Sequence, residues 1–191
     1  MPVYMIHGYC GSRSEHWFPW LKEELEQQGE NVYIIDLPSP DAPNPDEWQE
    51  ALENQVPTLD RNTYFVTHSL GSIALLRYLE SANTNEGIGG YILVSGFNHN
   101  LPTLPQLNSF MRPEMDYKRL VKITGNRVVI AALDDATVPH TLTEKLAASL
   151  EARFIPVERG GHFLDRDGFT EFPLVLSVLE NQSSLGKEHR V

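Results

Sequence analysis

Apolar positions along this chain fall into two alternating rhythms. Short, nearly continuous apolar runs stand at Val3 to Gly8, Val32 to Leu37, Tyr64 to Thr67, Gly90 to Phe97 and Arg127 to Leu133, and a weaker one at Arg153 to Val157. Runs of that length without polar alternation predict strands covered on both faces, as in a parallel sheet. Between them the spacing changes to that of a helix with one apolar face. Phe18, Leu21 and Leu25 recur among Lys22, Glu23, Glu24 and Glu26, with Gly29 as the stop. Trp48, Leu52, Val56 and Leu59 follow Asn44-Pro45-Asp46-Glu47, a helix start in which Asn caps, Pro takes the first turn and the acids meet the positive end of the dipole. Ile73, Ala74, Leu75, Leu76 and Leu79 predict a nearly buried helix, and Leu142, Leu146 and Leu150 another, opened by a capping box from Thr141 to Glu144. A last helix is expected from about Thr170 to Glu180, with residues 181–191 a polar, frayed tail.

Strands separated by helices imply right-handed crossovers, hence a doubly wound parallel sheet of about six strands with flanking helices, in one domain over residues 1–180. Residues 98–115 break the rhythm: prolines at 102, 105 and 113 interrupt Leu101, Leu104, Leu107, Phe110 and Met111. Coming after a strand's C-terminal end, this insertion is either a small lid or a packed connector, and it is too short for a large cap domain.

Composition narrows the function. With 41% hydrophobic and 21% charged residues, 191 in all, the chain reads as a globular domain, and no apolar run approaches the roughly 20 residues of a membrane span. A net charge of −11 opposes binding to phosphate backbones, so neither nucleic acid nor membrane is an expected partner. One cysteine and no secretory pattern at the start make the cytoplasm the expected compartment. The histidines show no zinc-ligand spacing, and Gly8-x-x-Gly11 lacks the dinucleotide pattern, so no cofactor is expected.

The candidate chemistry sits at the centre of the chain. Between the strand ending at Thr67 and the helix after Gly71 lies His68-Ser69-Leu70-Gly71, a sharp turn that exposes a serine at a helix N-terminus. This resembles the nucleophile elbow of an α/β-hydrolase, with Thr67 where the pattern has its first glycine. A serine hydroxyl needs a histidine base oriented by a carboxylate. Ser69, Asp135 and His162 each follow a predicted strand, in the order serine, acid, histidine; Asp134 is the rival acid. The backbone N–H groups of Tyr9 and Leu70 are the expected oxyanion hole. Trp17, Trp20, Phe97 and Phe110 either narrow a shallow acyl pocket or pack in the core.

His7-Gly8-Tyr9, residues 16–20 (His-Trp-Phe-Pro-Trp), His68 to Gly71, Leu93 to Phe97, Asp134-Asp135 with Val138-Pro139, and Gly160 to Leu164 occur in the order typical of one family. By these motifs the chain resembles the small serine hydrolases comprising the YdeN-like bacterial proteins and the retinoblastoma-binding serine hydrolase. The resemblance implies a compact α/β-hydrolase fold and a Ser69, Asp135, His162 triad acting on a small ester, or an amide or thioester. The L-x-C-x-E retinoblastoma-binding motif is absent. The alternative is a protein-binding module that keeps the fold and works through its surface.

Overall fold

All six apolar runs pair into a single parallel sheet. The computed structural model describes the backbone of residues 1–82, 84 and 86–188 and the side chains of those up to residue 183. β1 (Pro2–Ile6), β2 (Asn31–Ile34), β3 (Tyr64–His68), β4 (Gly90–Val94), β5 (Arg127–Ala132) and β6 (Arg153–Val157) lie in the order β2-β1-β3-β4-β5-β6. The winding reverses between β1 and β3, which opens a crevice beyond the C-terminal ends of those two strands, where open α/β sheets place their ligands.

Helices cover both faces. α1 (Phe18–Gln27) and α6 (Pro173–Glu188) pack on one side through Phe18, Leu21, Leu25, Val175 and Leu179. α2 (Pro45–Gln55), α3 (Leu70–Ser81), α4 (Tyr117–Ile123) and α5 (His140–Ser149) pack on the other. Alternate residues of each strand feed opposite cores: Phe65, Tyr91 and Leu93 face α3, while Tyr64, Val66, Ile92 and Val94 face α1 and α6. That division is why β3 and β4 read as unbroken apolar runs. No described helix is long and apolar enough to cross a membrane.

The Asn44 side chain accepts from the Asp46 and Glu47 amides at 2.9 and 3.3 Å, as its sequence predicts. Three features differ from expectation. α5 begins at His140 with Pro139 in the cap position and no side-chain cap, so the box from Thr141 to Glu144 does not form. α4 was not expected. It opens where Asp116 accepts from the Arg119 amide at 3.1 Å and buries only Leu120 and Ile123. The final helix does not stop at Glu180 but continues to Glu188, with Gln182 buried and donating to the Tyr91 carbonyl at 3.4 Å; the expected tail beyond it, residues 189–191, lies outside the described residues. Residues 98–115 form a packed connector: Leu101, Leu107, Phe110 and Met115 are buried in the core, and Arg77 of α3 donates to the carbonyls of Phe110 and Pro113.

Candidate active site

The elbow is built from two close approaches. A Cβ on Gly71 would stand 2.5 Å from the carbonyl oxygens of both Ile6 and His7, so only glycine lets α3 start against the end of β1. A Cβ on Gly8 would meet the Ser69 Cβ at 2.9 Å and the Leu70 nitrogen at 3.4 Å, which puts the loop after β1 directly against the elbow. Ser69 itself has φ 53° and ψ −122°, a region that L-residues avoid. The turn tolerates Thr67 in place of glycine because its hydroxyl finds a partner, the Ser72 hydroxyl at 2.8 Å, inside the core.

Three loops bring their side chains into one hydrogen-bonded chain. His162 Nδ1 lies 2.8 Å from Asp135 Oδ2, and His162 Nε2 lies 3.0 Å from Ser69 Oγ. A carboxylate oxygen only accepts, so Nδ1 carries the proton and Nε2 is left with a lone pair toward the serine hydroxyl. Asp135 is fully engaged. Its Oδ2 also accepts from the Ser95 hydroxyl at 3.1 Å, and its Oδ1 accepts from the Thr137 and Val138 amides at 2.8 and 2.9 Å. Those two amides explain the spacing to Val138-Pro139. The neighbouring Asp134 points elsewhere: its Oδ1 accepts from the Gly160 and Gly161 amides, which hold its carboxyl below the ordinary range.

Two buried histidines flank this chain. His68 Nε2 donates to the His162 carbonyl at 2.8 Å, and burial, reinforced by the His162 ring, holds its imidazole far below the usual histidine range, hence neutral. His7 is likewise lowered by burial and donates from Nδ1 to the Gly8 carbonyl at 3.0 Å. The Gly8 carbonyl also accepts from the Gly11 amide at 3.1 Å.

A cavity of about 390 Å³ opens over Ser69 and His162, with Tyr9, His16, Phe18, Leu104, Leu164 and Arg166 among the residues that line it. None of the four aromatic residues expected in an acyl pocket lines it. Trp17 is buried between Phe18 and Phe172 under the ring of His68, because it precedes α1 and turns into the core, while Phe18, one residue on, reaches the cavity. Trp20 packs partly buried on the same core, and Phe97 and Phe110 are buried across the sheet. Ser95, Thr137, Leu104 and Leu164 are site residues that sequence reasoning passed over; of these Ser95, within the motif from Leu93 to Phe97, and Leu164, at the end of the motif from Gly160, left a trace in the sequence. Two larger depressions, about 710 Å³ beside α4 and 700 Å³ beside the β2 edge, bring no nucleophile to a histidine. Among the described residues, no group of three or more His, Cys, Asp or Glu is placed to hold a metal ion.

A sheet wound this way, with an elbow serine at its switch point, defines the α/β-hydrolase class. Within it, the chain belongs to the serine hydrolase family, whose model matches residues 3–181. It is 42% identical over 182 residues to YdeN of Bacillus subtilis (strain 168), covering 95% of this chain and 96% of that protein. The crystal structure of the ydeN gene product superposes with a TM-score of 0.94 over 96% of this chain and 98% of that one. Serine hydrolase RBBP9 of Rattus norvegicus is 25% identical over 168 residues, 86% of this chain and 85% of that protein. At 14% identity, Est1E from Butyrivibrio proteoclasticus shares the fold with a TM-score of 0.69 over all of this chain and 88% of that one.

Proposed function

We propose that the chain hydrolyses a small carboxylic ester through an acyl-serine intermediate, with Ser69 as nucleophile, His162 as base and Asp135 as its orienting acid. The observation that carries this is the chain of 3.0 and 2.8 Å contacts from a serine on strained backbone, through one imidazole, to a fully bonded carboxylate. The Ser69 proton passes to His162 Nε2 as Oγ attacks the ester carbonyl. His162 then returns the proton to the departing alkoxide; a water deprotonated by the same nitrogen attacks the acyl-serine, and that proton passes to Ser69 Oγ as the acyl–oxygen bond breaks and the acid is released. Every proton is accounted for by one serine, one histidine and water, so the reaction needs no cofactor.

The oxyanion of each tetrahedral intermediate accepts from the Tyr9 and Leu70 amides. The peptide joining Gly8 to Tyr9 supports this role. Its carbonyl is drawn to His7 and Gly11, and across a planar trans peptide the Tyr9 N–H must point the opposite way. The 390 Å³ volume is near the low end for ligand pockets and supports a small acyl group.

A fluorophosphonate probe with peptide mapping, followed by turnover of nitrophenyl esters from acetate to palmitate, tests this reading. The probe labels Ser69. Ser69→Ala loses the label and about 10³-fold or more in turnover, and Asp135→Asn loses about 10² to 10⁴ because an amide NH₂ cannot accept from Nδ1–H. Turnover is greatest from acetate to butyrate, since each methylene left in water forfeits about 0.8 kcal/mol. Label on Cys10, or an active Ser69→Ala, would refute the mechanism; kcat/KM rising steadily to palmitate would refute the small-acyl assignment.

A further inference from the structure

His162 must hold two distances at once from the tip of a loop that begins with two glycines, the residues that lose the most freedom on ordering. The loop's own backbone supplies one bond, from the Phe163 amide to the Gly160 carbonyl at 2.9 Å. Side chains outside the reacting chain supply the others. Asp134 Oδ1 accepts from Gly160 and Gly161 at 2.8 and 2.9 Å. Asp167 Oδ2 accepts from His162 itself and from Leu164 at 3.0 and 3.2 Å. His68 Nε2 donates to the His162 carbonyl at 2.8 Å. All five amides from Gly160 to Leu164 and the carbonyl of His162 therefore have named partners. A Cβ on Gly161 would fall 2.6 Å from the Asp167 carboxyl carbon, so this glycine is what admits that carboxylate.

We propose that Asp134 and Asp167, with His68 behind them, are positioning residues that fix the backbone of His162 so that its ring spans Ser69 and Asp135. The inference rests on the serine-hydrolase reading above and adds a division of labour to it. The two adjacent aspartates at the end of β5 serve the same histidine, Asp135 through its ring and Asp134 through its loop. Both positioning carboxylates are exposed at the surface. When one is removed, water can solvate the freed amides and the fold survives, but water fixes no angle. The loss therefore appears in the chemical step rather than in stability, because misplacement of a reacting group by about 1 Å costs up to about 10²-fold.

The test uses Asp134→Ala, Asp134→Asn, Asp167→Ala and Asp167→Asn in the full chain. Each is measured for the rate of Ser69 labelling, for kcat and KM on nitrophenyl acetate, and for melting temperature. Each alanine variant should lose about 10- to 30-fold in kcat and in labelling rate, with KM within about twofold and melting little changed. Each asparagine variant keeps an acceptor oxygen for the same amides and should recover to within about threefold of the parent. Because both carboxylates hold one loop, the double alanine variant should lose less than the product of the single losses. Alanine variants within threefold of the parent, a change in KM alone, or asparagine variants as impaired as alanine would each overturn the proposal. Should an alanine variant fail to fold, its asparagine counterpart decides, and a loss beyond threefold there counts against positioning. A parent protein that does not label at Ser69 removes the hydrolase reading itself, whereas a labelled parent with unaffected alanine variants removes only this inference.

Discussion

Ser69 stands where a β-carbon is unwelcome, and the proposed mechanism needs it to stay there. At φ 53° and ψ −122° an L-residue carries strain of about 1–3 kcal/mol, held in place by β3 on one side and α3 on the other. On that mechanism stability and chemistry pull in opposite directions at this position. Ser69→Ala keeps the β-carbon and the strain, while Ser69→Gly removes both. Urea unfolding should find the glycine variant more stable than the alanine variant by about 1 kcal/mol, the released strain less the extra chain entropy of glycine. Neither variant should turn over ester. A glycine variant no more stable than alanine would show the elbow backbone to be relaxed. The serine and its two partners were legible in the sequence because each follows an apolar run and their order is fixed. Asp167 and Leu104 were not legible, since they reach the site through the path of a loop, which no periodicity records.

At the scale of elements, what the sequence reveals depends on how many residues repeat the same message. β3 and β4 each place five consecutive residues between two layers of helix, so their apolar runs are unambiguous. α4 has seven residues and buries two of them, too few for a period to emerge, and its only signal is the Asp116 cap. The cap motifs show the same dependence on context. Asn44 and Thr141 both looked like helix starts, yet only Asn44 meets free amides, because α5 has already begun at His140, one residue ahead of Thr141, with Pro139 in the cap position. Asn44→Ala should cost about 1 kcal/mol, whereas Thr141→Ala should lie within about 0.5 kcal/mol of the parent. Denaturant midpoints at fixed m-value separate the two, and equal losses would mean that the Thr141 hydroxyl caps α5 in solution. The aromatic residues failed as pocket markers for a related reason. The sequence offered Trp17 for the pocket and read Phe18 as a helix-face residue, but the way the chain enters α1 turns the tryptophan into the core and lets the phenylalanine reach the cavity.

The whole molecule gathers four of its histidines at one edge of the sheet, and two of these are kept neutral by burial. His68 is surrounded by other imidazoles, with His162 nearest and His16 and His7 beyond, all of which disfavour a second positive charge. Burial of His7, helped by Arg13, outweighs its hydrogen bond to the Gly8 carbonyl and the nearby Asp36 and Glu15, which favour its charge. The unfolded chain takes up a proton on each of these residues near pH 6.5, but the folded protein does so only at lower pH. As pH falls through about 6.5, the unfolded state therefore binds more protons than the folded state, and stability falls with it. The slope is about 1.4 kcal/mol per pH unit for each such histidine. The window from pH 7 to 5.5 leaves out the carboxylates, because ordinary ones, and Asp134 with its lowered value, titrate below it. His68→Gln supplies the informative variant, since its amide can still donate to the His162 carbonyl but cannot take a proton. Urea unfolding at pH 7.5, 6.5 and 5.5 should show the parent losing stability toward acid and the His68→Gln variant losing it less steeply, by about one proton's slope. An identical slope in both would mean that His68 ionises in the folded protein as it does in the unfolded chain, and that the ring behind His162 is open to water.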